Sequence, residues 1–341
     1  MPKRLWRKIG EDVIDKDINK NISGGNIMTT LITGAGLVGT SYAQQASRRS
    51  EKVVFVDPIP REDFIRSKMG NADFTYLNED VRSLPGLIST INKYEVDTIL
   101  NTASVIGKRV NDPIHFGYSL NVGGTQAVAD AARLTSIKRV LHISTFGAYD
   151  WRKVGKGPIQ EDDLLGTGTA YSNSKVAQEM IIEAYAIESG FDLFMLRLGN
   201  VFGVGHFWGG SGGGQKVQDL VMAGITGQPA KIPEEQTMDF VYLYAKDCGR
   251  AIDMCATIDA PSENVFNIAY PVTTSFEELV AVITDQLPNL RVDIIPGTPP
   301  VNRAAPLDID RAKEMLGWEP EFSMQDAFAD YVADLKVQLE R

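Results

Sequence analysis

From Met28 onward, short runs of apolar and β-branched residues alternate with amphipathic stretches, the pattern of strand and helix units repeated around a parallel sheet. Strands are predicted at Thr29–Thr33, Val53–Asp57, Phe74–Leu77, Thr98–Thr102, Val140–Ser144 and Leu193–Leu198. Helices are predicted between them at Gly39–Arg48, Leu84–Tyr94, Gly123–Leu134 and Tyr171–Ser189. Six such strands make one doubly wound α/β sheet. After Asn200 the texture changes: a glycine-rich segment, Gly203–Gly214, carries His206, Phe207 and Trp208 and precedes a helix near Val217–Ala223. A smaller lobe is expected to begin there. Strands at Phe240–Leu243 and Val265–Ile268 read as returns to the first domain, so the expected division is 28–200 with 239–270, and 201–238 with 271–341 as a smaller, discontinuous C-terminal lobe.

Composition narrows the function classes. The 341 residues are 43% hydrophobic and 23% charged, ordinary for a soluble domain, and no apolar run approaches the ~20 residues that span a bilayer. A membrane role is not expected. The net charge of -10 would repel a phosphate backbone, so nucleic acid is not an expected partner. Cys248 and Cys255 match neither a redox pair nor a zinc knuckle, and free thiols suit a reducing cytoplasm, the expected location. The stretch 1–27 mixes basic and acidic residues before Ser23-Gly24-Gly25 and lacks the apolar core of a secretory signal. It reads as a mobile extension preceding the fold.

The segment Thr33-Gly34-Ala35-Gly36-Leu37-Val38-Gly39 runs from a strand through GxGxxG into a helix, the Rossmann-type dinucleotide fingerprint. Gly34 permits the tight turn, Gly36 lets the backbone approach a pyrophosphate, and Gly39 allows close helix-to-strand packing. The helix N-terminus then offers its unpaired N–H groups to phosphate. Asp57 ends the second strand, where a carboxylate accepts hydrogen bonds from the adenosine ribose and repels a 2′-phosphate. NAD is therefore expected over NADP, although Arg61 lies close in sequence.

Two further segments carry chemistry. His142-Ile143-Ser144-Thr145 is a strand whose C-terminal end delivers hydroxyls to the crevice where such sheets bind ligands. In Tyr171-Ser172-Asn173-Ser174-Lys175, residues four apart on a helix share a face, so the phenol of Tyr171 and the ammonium of Lys175 can enter one site. A free tyrosine titrates near ~10, so acting as a base at neutral pH requires positive charge beside it, which Lys175 and an oxidised nicotinamide would supply.

These segments resemble, in order, the motifs of the extended short-chain dehydrogenase/reductase family, which includes nucleotide-sugar epimerases, dehydratases and related dehydrogenases. The similarity runs from about Met28 to Tyr331. It includes Asp80-Val81, like the family's adenine-contacting pair, and Asn101-Thr102-Ala103-Ser104, like its strand-four cofactor motif. Asn121-Val122-Gly123-Gly124-Thr125, Arg197-Leu198-Gly199-Asn200 and Leu316-Gly317-Trp318-Glu319-Pro320 complete the set. The resemblance implies catalytic roles for Thr145, Tyr171 and Lys175. It implies cofactor contacts from Gly34, Gly36, Leu37, Val38, Gly39, Asp57, Asp80, Val81, Thr102, Ala103, Ser104, Asn121, Tyr171 and Lys175, and a homodimer built from the helices near Gly123–Leu134 and Tyr171–Ser189. Substrate contacts are expected from Ser104, Thr145, Asn200, His206 and Arg303, with no metal.

Three departures shape the expected activity. The turn at Gly34–Gly36 is one residue shorter than the family's. Phe146-Gly147 follows Thr145 where sugar 4,6-dehydratases place an Asp-Glu pair, which removes the carboxylates that would drive elimination of water. Met238-Asp239-Phe240 stands where the family's Arg-Asp-Phe grips a nucleotide-sugar diphosphate, a loss of a bidentate donor that counts against a nucleotide sugar. The leading expectation is thus NAD-dependent oxidation of a secondary alcohol on a sugar, sugar acid or other small polyol. An epimerase with tightly bound NAD is the alternative, and a non-catalytic NAD-binding scaffold the second.

Overall fold

A computed structural model describes residues 28–155, 157–166, 168–206, 211–301 and 305–340. Seven parallel strands form the main sheet: β1 (Thr29–Thr33), β2 (Lys52–Val56), β3 (Thr75–Leu77), β4 (Thr98–Asn101), β5 (Arg139–Thr145), β6 (Asp192–Leu198) and β10 (Val265–Ile268), in the order β10-β6-β5-β4-β1-β2-β3. The doubly wound Rossmann-type sheet expected from the sequence is present, with β10 added beside β6. Among the described residues, four further strands lie outside it: β7 (Asn200–Phe202) pairs with β9 (Tyr242–Tyr244), and β8 (Ala230–Pro233) with β11 (Val292–Ile295). The strand expected at Phe240–Leu243 is therefore realised as β9 and joins β7 instead of the large sheet.

Helices α1 (Leu37–Arg48), α2 (Glu62–Met69), α3 (Leu84–Tyr94), α4 (Ile114–Tyr118), α5 (Gly124–Thr135) and α6 (Ala170–Ser189) connect the first strands. After them come α7 (Gly212–Thr226), α8 (Ala245–Thr257), α9 (Phe276–Gln286), α10 (Asp310–Leu316) and α11 (Met324–Leu339). Adjacent residues of a strand point to opposite faces, and here both faces are dry. Ile32, Phe55, Leu141 and Phe194 pack with α1 and α8 on one side. Leu31, Val54, Val140 and Leu193 pack with α3, α5 and α6 on the other. This is why the strands read as unbroken apolar runs. The α1 and α8 helices approach closely because Gly249 has no side chain; a Cβ there would sit 2.5 Å from Ser41 O.

The smaller lobe has its own core, in which Phe202, Leu220, Tyr242, Leu279 and Phe328 meet across α7, α9, α11 and the two small sheets. The chain then returns: Ala312, Leu316 and Trp318 belong to the core under the large sheet, and Asp247 of α8 accepts the Glu321 and Phe322 N–H groups at 2.9 and 3.3 Å. Strand order reverses between β1 and β4, and in such sheets the crevice beyond the carboxyl ends at that switch is where ligands bind. No helix among the described residues is long and apolar enough to cross a membrane.

Candidate active site

A cleft of about 590 Å³ opens at that switch point. It is lined by the ends of β1, β2, β4, β5 and β6, by α6, and by the start of α7. Gly34, Gly36, Leu37, Val38, Asp57, Asp80, Val81, Thr102, Ala103 and Ser104 line one part, and Thr145, Tyr171, Lys175, Asn200 and His206 another.

The glycine loop is tightly packed at Gly34 and Gly39 and open at Gly36. Gly34 has φ +88°, and a Cβ there would lie 2.8 Å from Thr102 Oγ1. At Gly39 a Cβ would lie 2.6 Å from Gly34 O, so this glycine packs helix against loop and does not line the cleft. Gly36 differs, because a Cβ there would meet nothing of the chain within 4 Å. It caps α1 without any side-chain hydrogen bond, leaving first-turn N–H groups for an anion. Asp57 accepts the N–H groups of Ala35 at 2.9 Å and Ile59 at 2.8 Å, with Arg61 Nε 3.5 Å from its carboxylate. These residues fit a dinucleotide.

Tyr171 and Lys175 lie one turn apart in the first turns of α6, which Thr169 caps by accepting the Ser172 N–H at 3.2 Å. The phenol of Tyr171 is pushed up to about 12 by burial, opposed by its hydrogen bond with Thr145. Burial brings the ammonium of Lys175 down to about 8, opposed by the charge of Glu179. Lys175 Nζ donates to Ile143 O at 2.9 Å. The Thr145 side chain accepts the Gly147 N–H at 3.1 Å. A phenol, a hydroxyl and an ammonium thus converge where a carbinol oxygen could meet them.

Behind this trio stands a buried network that sequence reasoning missed. Glu179, one further turn along α6, receives Arg197 of β6 at 2.7 Å and Ser144 Oγ. Arg197 also donates to the Tyr149 hydroxyl at 3.1 Å and to Glu161 O at 2.7 Å. The signal was available, since 171, 175 and 179 continue one four-residue spacing along a helix face. Removing either partner of such a pair leaves a buried charge unmatched, at a cost of about 3–5 kcal/mol.

Asn121 does not open on the cleft. It sits in a π-helical turn, Ser119–Gly123, is fully buried, and uses its amide to hold the Val105 backbone at 2.8 and 3.0 Å and Ser174 Oγ at 3.0 Å. Its side chain braces the loop after β4 against α6. His142 is buried against Asn101 and its pKa is lowered by that burial and by Lys175. Arg303, Phe207 and Trp208 lie outside the described residues.

At the other end of the cleft, Asn200 is 5% exposed and its Nδ2 has no partner, while its Oδ1 accepts from Ser211 Oγ at 3.1 Å. Ser211 caps α7. Cβ atoms at Gly213 and Gly214 would collide with the Asn200 amide and the His206 ring, so these glycines let the helix end close on both. His206 Nε2 lies 3.2 Å from Ser211 O, and burial lowers its pKa. Among the described residues lining the cleft, the only carboxylates are Asp57 and Asp80, on the β2 and β3 side. No cluster of three or more His, Cys, Asp or Glu placed to hold a metal occurs among the described residues.

Comparison with known proteins now decides the family. Residues 30–269, the greater part of the chain, match the model of the NAD dependent epimerase/dehydratase family. The chain belongs to this family. Within it, the chain is 26% identical over 320 residues to a UDP-glucose 4-epimerase of Mycolicibacterium smegmatis, covering 89% of this chain and 97% of the relative. It is 24% identical over 332 residues to a dTDP-glucose 4,6-dehydratase of Xanthomonas campestris pv. campestris, covering 89% and 92%. The fold is shared with the UDP-glucose 4-epimerase of Thermotoga maritima, with a TM-score of 0.79 and 20% identity over 92% of this chain and all of that one. It is shared also with the UDP-glucuronic acid 4-epimerase of Bacillus cereus, with a TM-score of 0.75 and 21% identity over 90% of this chain and 100% of that one. As a member of the family the chain is an NAD-dependent enzyme of the epimerase/dehydratase type, so the epimerase alternative stands ahead of a generic alcohol dehydrogenase.

Proposed function

We propose that the chain is an NAD-dependent epimerase acting on a nucleoside-diphosphate sugar. The observation that carries the reading is the contrast between the two ends of the cleft. The hydride-transfer trio faces a substrate region in which no described residue is a carboxylate, and that region ends at the N-terminus of α7, where Ser211 accepts only the Gly214 N–H, beside the unpartnered Nδ2 of Asn200. An unpaired buried N–H donor is costly unless a ligand accepts from it, and a helix N-terminus favours an anion. Met238 lines this end and counts, taken alone, against a diphosphate. The Asn200 amide and the α7 N–H groups offset the missing guanidinium. Relatives named for UDP-glucose, dTDP-glucose and UDP-glucuronic acid support the same substrate class.

NAD supplies a hydride acceptor and then a donor at the sugar carbon. Tyr171 takes the hydroxyl proton as the carbinol becomes a ketone and returns it to the carbonyl oxygen afterwards. Thr145 donates a hydrogen bond to that oxygen. Lys175 holds positive charge beside the phenol and steadies its ionised form. Elimination of water needs a further acid and base near the sugar, and Phe146 and Gly147 provide neither, which favours epimerase over dehydratase. Leu134 on α5 and Met180 and Ile187 on α6 are exposed apolar residues on the helices through which a homodimer is expected to form.

The test is to incubate the NAD-loaded protein with UDP-glucose, UDP-glucuronic acid and dTDP-glucose without added cofactor and follow the sugar by NMR. Interconversion of epimers with no net NADH is expected. Stoichiometric NADH with an oxidised sugar would restore the dehydrogenase reading, and a 4-keto-6-deoxy product would assign a dehydratase.

A further inference from the structure

A buried lysine stands near the cleft, apart from the hydride-transfer trio and the network behind it. Lys216 is 3% exposed, although it belongs to the second turn of α7. Its neighbours on the buried side of that helix are Gly213, Val217, Leu220 and Gly224, so a lysine occupies a core position of an amphipathic helix. Its ammonium donates to Gln236 O at 2.9 Å and Met238 O at 3.3 Å. It also lies 4.7 Å from the centroid of the Phe240 ring and 5.3 Å from that of Phe276. Gln236, Met238 and Phe240 all line the cleft, so the charge stands directly behind the wall of its substrate end.

This placement is unfavourable on two counts. Burial costs an ammonium its hydration, and the positive end of a helix disfavours a cation. The first turn of α7 carries no acidic residue to compensate. Asp239 attracts the ammonium, yet burial still lowers its pKa to about 8. A neutral side chain of similar length would fill the space without these costs. An anion on the other side of the wall would relieve them.

We propose that Lys216 is the specificity-determining cation of this site, holding the wall segment that carries Gln236 and Met238 and supplying the positive charge against which a diphosphate is bound. It takes over, from behind the backbone, the charge that position 238 lacks. The inference rests on the nucleoside-diphosphate-sugar reading above, and its test separates the two.

Calorimetry is run on the NAD-loaded protein with UDP and with uridine, the same base and ribose without the anion. Lys216→Gln keeps donors for the carbonyls and removes the charge; Lys216→Met keeps the apolar stem and serves if the glutamine protein does not fold; Lys216→Arg keeps the charge. The expected result is a loss of about tenfold or more in UDP affinity for the neutral variants, with uridine changed by less than about threefold and the arginine protein recovering part of the loss. UDP binding unchanged in a neutral variant, or UDP and uridine weakened equally, would overturn the role of Lys216 and leave the substrate reading standing. Absence of UDP, GDP and dTDP binding to the unaltered protein would instead overturn the substrate reading.

Discussion

Gly36→Ala isolates what the glycine loop is for. At this position the backbone is extended, with φ -91° and ψ -167°, a conformation alanine adopts without strain. The new methyl would meet no atom of the chain within 4 Å. Alanine is a poorer helix cap than glycine, and it reduces the entropy of the unfolded chain by roughly 0.4–1 kcal/mol. The two effects oppose each other, so the stability of the cofactor-free protein is expected to change by less than about 1 kcal/mol. The methyl instead projects into the space that a pyrophosphate must enter to reach the first N–H groups of α1. Charge-assisted hydrogen bonds contribute about 1.5–3 kcal/mol each, so losing one weakens NAD by about tenfold to somewhat over a hundredfold. At NAD concentrations a hundred times the wild-type Kd, the cofactor stabilises the folded protein by about 2.7 kcal/mol, and a hundredfold weaker site keeps only about 0.4 kcal/mol of this. Thermal melts with and without NAD, together with a fluorescence titration of NADH, measure both quantities on stripped protein. A variant that melts like the parent and still binds NADH within about threefold would refute the placement of the pyrophosphate over Gly36.

Three further outcomes are expected. Tyr171→Phe removes the proton acceptor and keeps the ring, so kcat falls by about 10²–10⁴ with NAD affinity nearly intact; wild-type turnover in this variant would end the acid/base assignment. Asp57, the residue expected to meet the adenosine ribose, has a carboxylate that accepts two backbone N–H groups; NADH should bind more tightly than NADPH, and equal or tighter NADPH binding in a titration would contradict the assignment. Lys216, brought down to about 8 by burial, is charged below that pH and neutral above it, and an anion favours the charged form. UDP affinity should therefore be highest below pH 8 and decline as pH rises through it, with the decline lost in Lys216→Gln; a flat wild-type profile between pH 7 and about 9.5 would count against a charge at this position.

Where a feature depends on residues close in the chain, it was legible in the sequence. The strand β1, its glycine turn and the start of α1 form one continuous segment, and the spacing of Tyr171 and Lys175 follows from helix geometry alone. Apolar runs flanked by amphipathic stretches can bury themselves only as a sheet covered on both sides. Features that depend on segments meeting from far apart were settled by tertiary structure. The π-helical turn that buries Asn121 turns its amide toward Val105 and Ser174, which no local pattern encodes. Strand β9 pairs with β7 instead of the large sheet, because pairing is chosen by which edges packing brings together. Met238 is a single side chain, whereas the charge of a cleft is a sum over every group around it. Lys216, twenty-two residues earlier, contributes to that sum only because α7 folds back behind the wall. Local periodicity specifies what each segment can be, and long-range packing decides which of its groups share a low-dielectric space, where electrostatic effects are strongest.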